Sequence, residues 1–232
     1  MEISMTPNRA IVVLLICGCT SCGCDTGPRV DQSVQHLADM NKAFETLGNQ
    51  GHLPPHPADG EMVGQSWMTD ILPHIGESSL YTSVDRTQAW DDEKNREPFS
   101  TDVAMFLSPA IDATKVNGHS PAHYAGNIHV QKPTGGIRYR DMTDGSGNLI
   151  LAGEVSAGFR PWGSPDNLRD PGLGFGDAPD KFGSPYPEVA VLIGDGSVRP
   201  LSKDVAPEIL RALSTPGGGE DMEEIMQRFG KK

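Results

Sequence analysis

The chain has 232 residues, enough for one substantial domain with its own core. With 37% apolar residues and a mean hydropathy of −0.37 it is neither a polytopic membrane protein nor a disordered chain, and 27 glycines with 19 prolines argue against a helical bundle. The 19 basic residues against 31 acidic ones leave a net charge of −12, which repels phosphate backbones, so no nucleic-acid partner is expected.

Arg9 precedes an apolar run over residues 10–16, a charged start and short apolar stretch that suit a secretory signal but cannot span a bilayer. The run ends in Ile16-Cys17-Gly18-Cys19, which resembles a bacterial lipoprotein signal: an aliphatic residue, a small residue, then the cysteine that takes lipid. Cys19 fits that position; Cys17 follows the bulky Ile16, and Cys22 has no aliphatic residue three before it. The competing readings are an ordinary cleaved signal or a buried apolar segment. The expected organisation is a lipoprotein-type signal peptide over 1–18, a tether over 19–30 and a single domain over 31–232. Lipidation of Cys19 would anchor the protein to a membrane of the cell envelope, facing the periplasm or the outside. All four cysteines precede Asp25, so the body uses no disulfide, and no His pair completes a zinc-finger spacing.

Val34, Leu37, Ala38, Asn41, Phe44 and Leu47 recur near helical spacing, which predicts an amphipathic helix over 31–47 with Asp31 as its cap and Gly48 at its end. Leu53-Pro54-Pro55-His56-Pro57 is extended, because a residue before proline is pushed out of the α region. Residues 67–81 predict a short helix broken at Pro73 and a further turn of helix. Residues 82–136 read as loop. Ile137-Arg138-Tyr139-Arg140 alternates in strand fashion, and 149–155 reads as a buried strand. Val189-Ala190-Val191-Leu192-Ile193, Asp195-Gly196 and Ser197-Val198-Arg199-Pro200-Leu201 form a strong hairpin signal, with Pro200 marking an edge strand. Asp204 and Pro207 open a helix through Leu213, and Met222, Ile225, Met226 and Phe229 form a last helical stripe.

Taken in order, several segments resemble a bacterial family of prepilin-type proteins of unknown function, expanded in planctomycete-like bacteria. They are the helix before Leu53-Pro54-Pro55; Ser66-Trp67 leading to Pro73 and Tyr81; Trp90 with Asn95; Ser108-Pro109; Asp144-Gly145-Ser146-Gly147-Asn148 leading to Glu154; Pro161-Trp162; Asp195-Gly196-Ser197; and Leu210 to Leu213 before Gly218-Gly219-Glu220. The resemblance implies a pilin-like α+β fold: an N-terminal amphipathic helix on a small antiparallel sheet, with long loops and a C-terminal helix. It marks Trp67, Pro73, Asp144, Gly145, Asn148, Glu154, Asp195 and Gly196 as structural motif positions and implies no catalytic residue. Two departures stand out. The leader looks like a lipoprotein signal in place of a prepilin leader with a long apolar helix, and the family's His ten residues before Asp-Gly is replaced here by Pro185.

Residue chemistry adds little to that picture. Asp141, Asp144 and Asn148 collect oxygens around Gly145, but their spacing is not that of an EF-hand, and a self-bonded turn is preferred. Among the seven histidines (His36, His52, His56, His74, His119, His123 and His129), His119 and His123 have helical ligand spacing, but Pro121 interrupts it. Gly145-Ser146-Gly147 is no nucleophile elbow, and Gly172, Gly174 and Gly176 match neither a dinucleotide fingerprint nor a P-loop. Trp67, Trp90, Trp162 and Tyr81 are read as core in preference to a glycan platform. Glu220, Asp221, Glu223 and Glu224 are read as the solvated start of the last helix. No metal or cofactor is expected. The function expected is a non-enzymatic, lipid-anchored envelope protein with a structural or display role, partnered by other envelope proteins or by itself. The alternative is a periplasmic or surface module binding a glycan, peptide or cation through loops 82–136 and 158–187.

Overall fold

The structure is a computed structural model that describes residues 28–55, 64–132, 135–221 and 223–225. Cys19, the signal over 1–18 and His56 lie outside the described residues, as do Met222, Met226 and Phe229 of the last predicted stripe. In chain order the elements are α1 (Pro28–Asn49), α2 (Trp67–Ile71), α3 (Ser78–Ser83), α4 (Arg96–Ser100), β1 (Pro121–Ala122), β2 (Tyr124–Asn127), β3 (Gln131–Lys132), β4 (Gly135–Gly136), β5 (Ile150–Glu154), β6 (Arg160–Pro161), β7 (Leu168–Arg169), β8 (Glu188–Ile193), β9 (Val198–Ser202) and α5 (Pro207–Ala212). The class is mixed α+β. Among the described residues no helix is long and apolar enough to cross a membrane.

Helix α1 buries Leu37, Met40, Ala43, Phe44 and Leu47, the stripe expected from a period of 3.6, and lies across β8, β9 and β5. It begins at Pro28, which shortens the expected tether of 19–30: proline suits a first helical turn, where its missing N–H costs nothing, and Asp31 then falls inside the helix. Gly48 does not end the helix. It lies within it, and a Cβ there would sit 2.2 Å from a ring carbon of Tyr139, so glycine is required by close packing. Downstream, Ser66 caps α2 by accepting the Met68 N–H at 3.1 Å, and α2 passes at Leu72–His74 into a 3-10 turn containing Pro73.

The main sheet has the order β7-β2-β5-β8-β9. Its pairs are antiparallel except β2 with β7, which is parallel, so the expected all-antiparallel sheet is corrected at one edge. Strand β2 lies inside the segment read as loop. Its Tyr-Ala-Gly-Asn sequence has no apolar alternation, yet it is buried throughout and is held from both sides, because Asn127 donates to the Ile150 and Ser214 carbonyls, each at 2.7 Å. Nor do residues 137–140 form a strand. The Asp141 carboxylate accepts the Arg138 N–H at 3.0 Å, diverting it from a ladder, and Tyr139–Asp141 turns as a 3-10 segment.

The hairpin β8–β9 matches its sequence signal. Gly196 takes a φ of 86°, the Asp195 carboxylate accepts the Ser197 N–H at 2.9 Å, and Pro200 lies on the edge strand opposite Ala190. Along β8, Ala190 and Leu192 join the core under α1, while Val189, Val191 and Ile193 join a second core with Ile209 and Leu210 of α5. Burial on both faces explains the unbroken apolar run in the sequence. In β5 a register irregularity between Ile150 and Ala152 lets Leu151 and Ala152 serve the same core.

Candidate functional site

The motif positions split into three places. Asp144, Gly145 and Asn148 form a turn in which Asn148 donates to the Asp144 carbonyl at 2.9 Å and the Asp144 carboxylate accepts the Gly219 N–H at 3.1 Å. Asn148 thus bonds the turn's own backbone as expected, whereas the Asp144 carboxylate reaches a distant segment. The turn abuts the Asp195-Gly196 hairpin loop, where Gly194 N–H donates to Leu149 O at 2.8 Å, and Asn41 and Glu45 of α1 close over Gly196. Trp67 is buried against Phe44 with ring centroids 5.4 Å apart, and its indole N–H donates to Asn167 O at 3.4 Å. Trp162 is likewise buried between Phe99 and Phe106, whereas Trp90 and Tyr81 are half-buried, so the tryptophans do not gather into a platform. Asn95 is buried and staples the preceding loop: its side chain accepts Asp85 N–H at 2.8 Å and donates to Asp85 O and Ala89 O.

Glu154, at the end of β5, stands under the N-terminal half of α1. Its carboxylate accepts the Ala190 N–H at 2.9 Å. Burial pushes its pKa up, while that N–H and the hydroxyls of Ser33 and Ser184 favour the charged form. Ser33 also meets Ser108 at 3.4 Å, and His36 Nδ1 meets the Tyr124 hydroxyl at 3.3 Å. The burial that pins this patch raises the Tyr124 pKa and lowers that of His36.

His119 and His123 do not share a ligand position. His119 sets its ring against Trp90 at 5.0 Å, whereas His123 is fully buried, accepts the Ser108 N–H on Nδ1 at 3.0 Å and lies 4.7 Å from Phe159. Burial lowers the His123 pKa to about 4. His129 faces Asp170 at 3.2 Å. Among the described residues no three His, Cys, Asp or Glu side chains group as metal ligands. Arg169 is buried and forms no ion pair among the described residues, its terminal nitrogens donating to Leu168 O and Gly158 O, each at 2.8 Å; burial, with the Arg160 charge, lowers its pKa to about 10 against the opposing pull of Asp180. Near the C-terminus Asp221, Glu223 and Glu224 are exposed, as expected, and Asp221 accepts the Glu223 and Glu224 N–H groups as a cap.

A cleft of about 410 Å³ opens at the C-terminal end of α1, lined by Gly48, Gly51, His52, Arg138, Tyr139 and Arg140. The loops 82–136 and 158–187, which the alternative reading named as a ligand site, do not line it. The arginines were legible only as alternation at 137–140; their flanking of one tyrosine in an acidic chain was the signal available. Arg138 Nε donates to His52 Nε2 at 2.6 Å, and the Tyr139 ring lies on the bare backbone of Gly48.

Residues 43–131 match the model of a family described as a protein of unknown function, DUF1559. The match runs from the second half of α1 to β3 and covers the Gly48–His52 wall of the cleft but not Arg138–Arg140. Neither the curated proteins nor the solved structures contain a match to the chain.

Proposed function

We propose that this protein is a non-enzymatic, lipid-anchored module of the cell envelope, with a pilin-like body that plays a structural or display role. The observation that supports this reading is the fastening of α1. The helix is pinned at its N-terminal half through Ser33 to Ser108 and through His36 to Tyr124, and seated along the rest of its length by the Leu37-to-Leu47 stripe. A chain leaving Cys19 reaches Pro28 in nine positions, a span of at most about 30 Å, so the anchor holds the body close to the membrane surface. With its apolar face spent on the sheet, α1 serves as a rigid strut within the body. Among the titratable groups that burial perturbs, Glu154, His123 and Arg169 are bonded to backbone within the body, as structural groups are.

Membrane fractionation of the Cys19→Ala variant tests the anchor. The wild-type protein is expected in the membrane fraction and the variant in the soluble envelope fraction; a variant that stays membrane-bound overturns the lipoprotein reading.

A further inference from the structure

The cleft at the end of α1 is a concentration of positive charge on a chain whose net charge is −12. Arg138 and Arg140 stand on either side of Tyr139, and neither forms an ion pair among the described residues. Arg138 is held by its Nε donation to His52 Nε2, so its two terminal nitrogens remain to present a planar pair of donors. Two carboxylates of neighbouring segments are hydrogen-bonded elsewhere: Asp141 accepts the Arg138 backbone N–H, and Glu45, whose charge acts on Tyr139, accepts the Asn41 amide at 2.8 Å. Apart from His52, the Gly48–His52 wall lines the cleft with glycine backbone. Gly48 brings the helix backbone against the tyrosine ring, and Gly51, at a φ of 142°, has no atom within 4 Å of where a Cβ would stand. The free carbonyls of the helix end would oppose an anion, but the Gln50 and Gly51 N–H groups take up those of Leu47 and Gly48.

We infer that this cleft binds the oxyanion group, carboxylate or phosphate, of a small molecule, with Arg138 as the oriented two-pronged donor and Arg140 as the second cation. A volume of about 410 Å³ suits a ligand the size of a single sugar acid or amino acid. Lysine cannot replace arginine at position 138 on this account, because a compact ammonium offers neither the fork nor the Nε that His52 accepts. The site is independent of lipidation. If the body is anchored as proposed, the cleft lies at the end of a 22-residue helix, about 33 Å from its membrane-proximal start.

The test titrates full-length protein in detergent micelles with sodium acetate, sodium D-glucuronate and inorganic phosphate, against sodium chloride at matched ionic strength. Backbone and arginine Nε–H signals are followed by NMR. Saturable shifts at Gly48, Gly51 and the Arg138 Nε–H, absent with chloride, are expected with at least one oxyanion, and the stronger responder tells carboxylate from phosphate. Arg138→Lys, at a half-buried position, and Arg140→Gln, at an exposed one, are each expected to weaken that binding roughly tenfold or more, whereas Lys42→Gln on α1 leaves it unchanged. Shifts that match chloride, or that persist with unchanged affinity in both arginine variants while their melting temperatures equal that of the wild type, overturn the inference.

Discussion

His123 is buried as a neutral imidazole, and this makes the stability of the protein depend on pH in a calculable way. In the unfolded chain an imidazole takes up its proton near 6.5, whereas in the fold burial lowers that to about 4. Between those values the unfolded state binds the extra proton, so stability is full above 6.5 and is lost as pH falls through the window. Complete passage is worth about 3 kcal/mol, and the step from pH 7 to pH 5 about 2 kcal/mol. Other groups titrate nearby: His36 acts in the same direction, and Glu154, whose pKa burial raises, acts in the opposite one. The His123 share is therefore read as a difference. Urea unfolding of wild type and His123→Asn at pH 7 and pH 5 gives two pH-dependent losses. Asn keeps an oxygen for the Ser108 N–H, so the variant is expected to fold and to lose about 2 kcal/mol less than wild type over that step. Equal losses in the two proteins, within about 0.5 kcal/mol, would refute the buried neutral imidazole.

Further perturbations probe the packing and the buried charges. At Gly163 a Cβ would lie 2.2 Å from a ring carbon of the buried Phe99, so Gly163→Ala is expected to cost about 1–3 kcal/mol, seen as a lower urea midpoint; an unchanged midpoint would show that the ring moves freely. Asp70 and Arg86 form an ion pair at 2.7 Å with little exposure, and Arg86→Met leaves the Asp70 carboxylate buried without that cation. A loss of about 3–5 kcal/mol is expected in thermal or urea unfolding, and a loss under about 1 kcal/mol would mean that water reaches the carboxylate.

The elements with a strong local signal were legible in the sequence. Leu37, Phe44 and Leu47 announce α1, Asp195-Gly196 between two apolar runs announces β8–β9, and Pro73 marks where α2 stops, because each is governed by residues adjacent along the chain. Strand β2 was not legible. Tyr124 to Asn127 earns its place through partners far away in sequence: Glu154 to Ala152 on one side and Leu168-Arg169 on the other. Residues 137–140 erred in the other direction, since a period-two pattern counts only if a neighbouring strand offers a ladder, and here the Asp141 carboxylate took the Arg138 N–H first.

The same division holds for the motif and the cleft. The turn at Asp144 to Asn148 was readable from Asn148 and the one at Asp195-Gly196 from Asp195, each bonding nearby backbone, but that the two meet beneath Asn41 and Glu45 is a matter of tertiary packing. By itself the sequence determined the acidic net charge, the principal helix and the hairpin, because composition and short-range periodicity suffice for those, whereas the α+β class was only implied by the family resemblance. Only the fold decided that the two arginines flanking Tyr139 would face a glycine wall beside His52. They stand more than eighty residues from that wall, and nothing in local pattern relates the two.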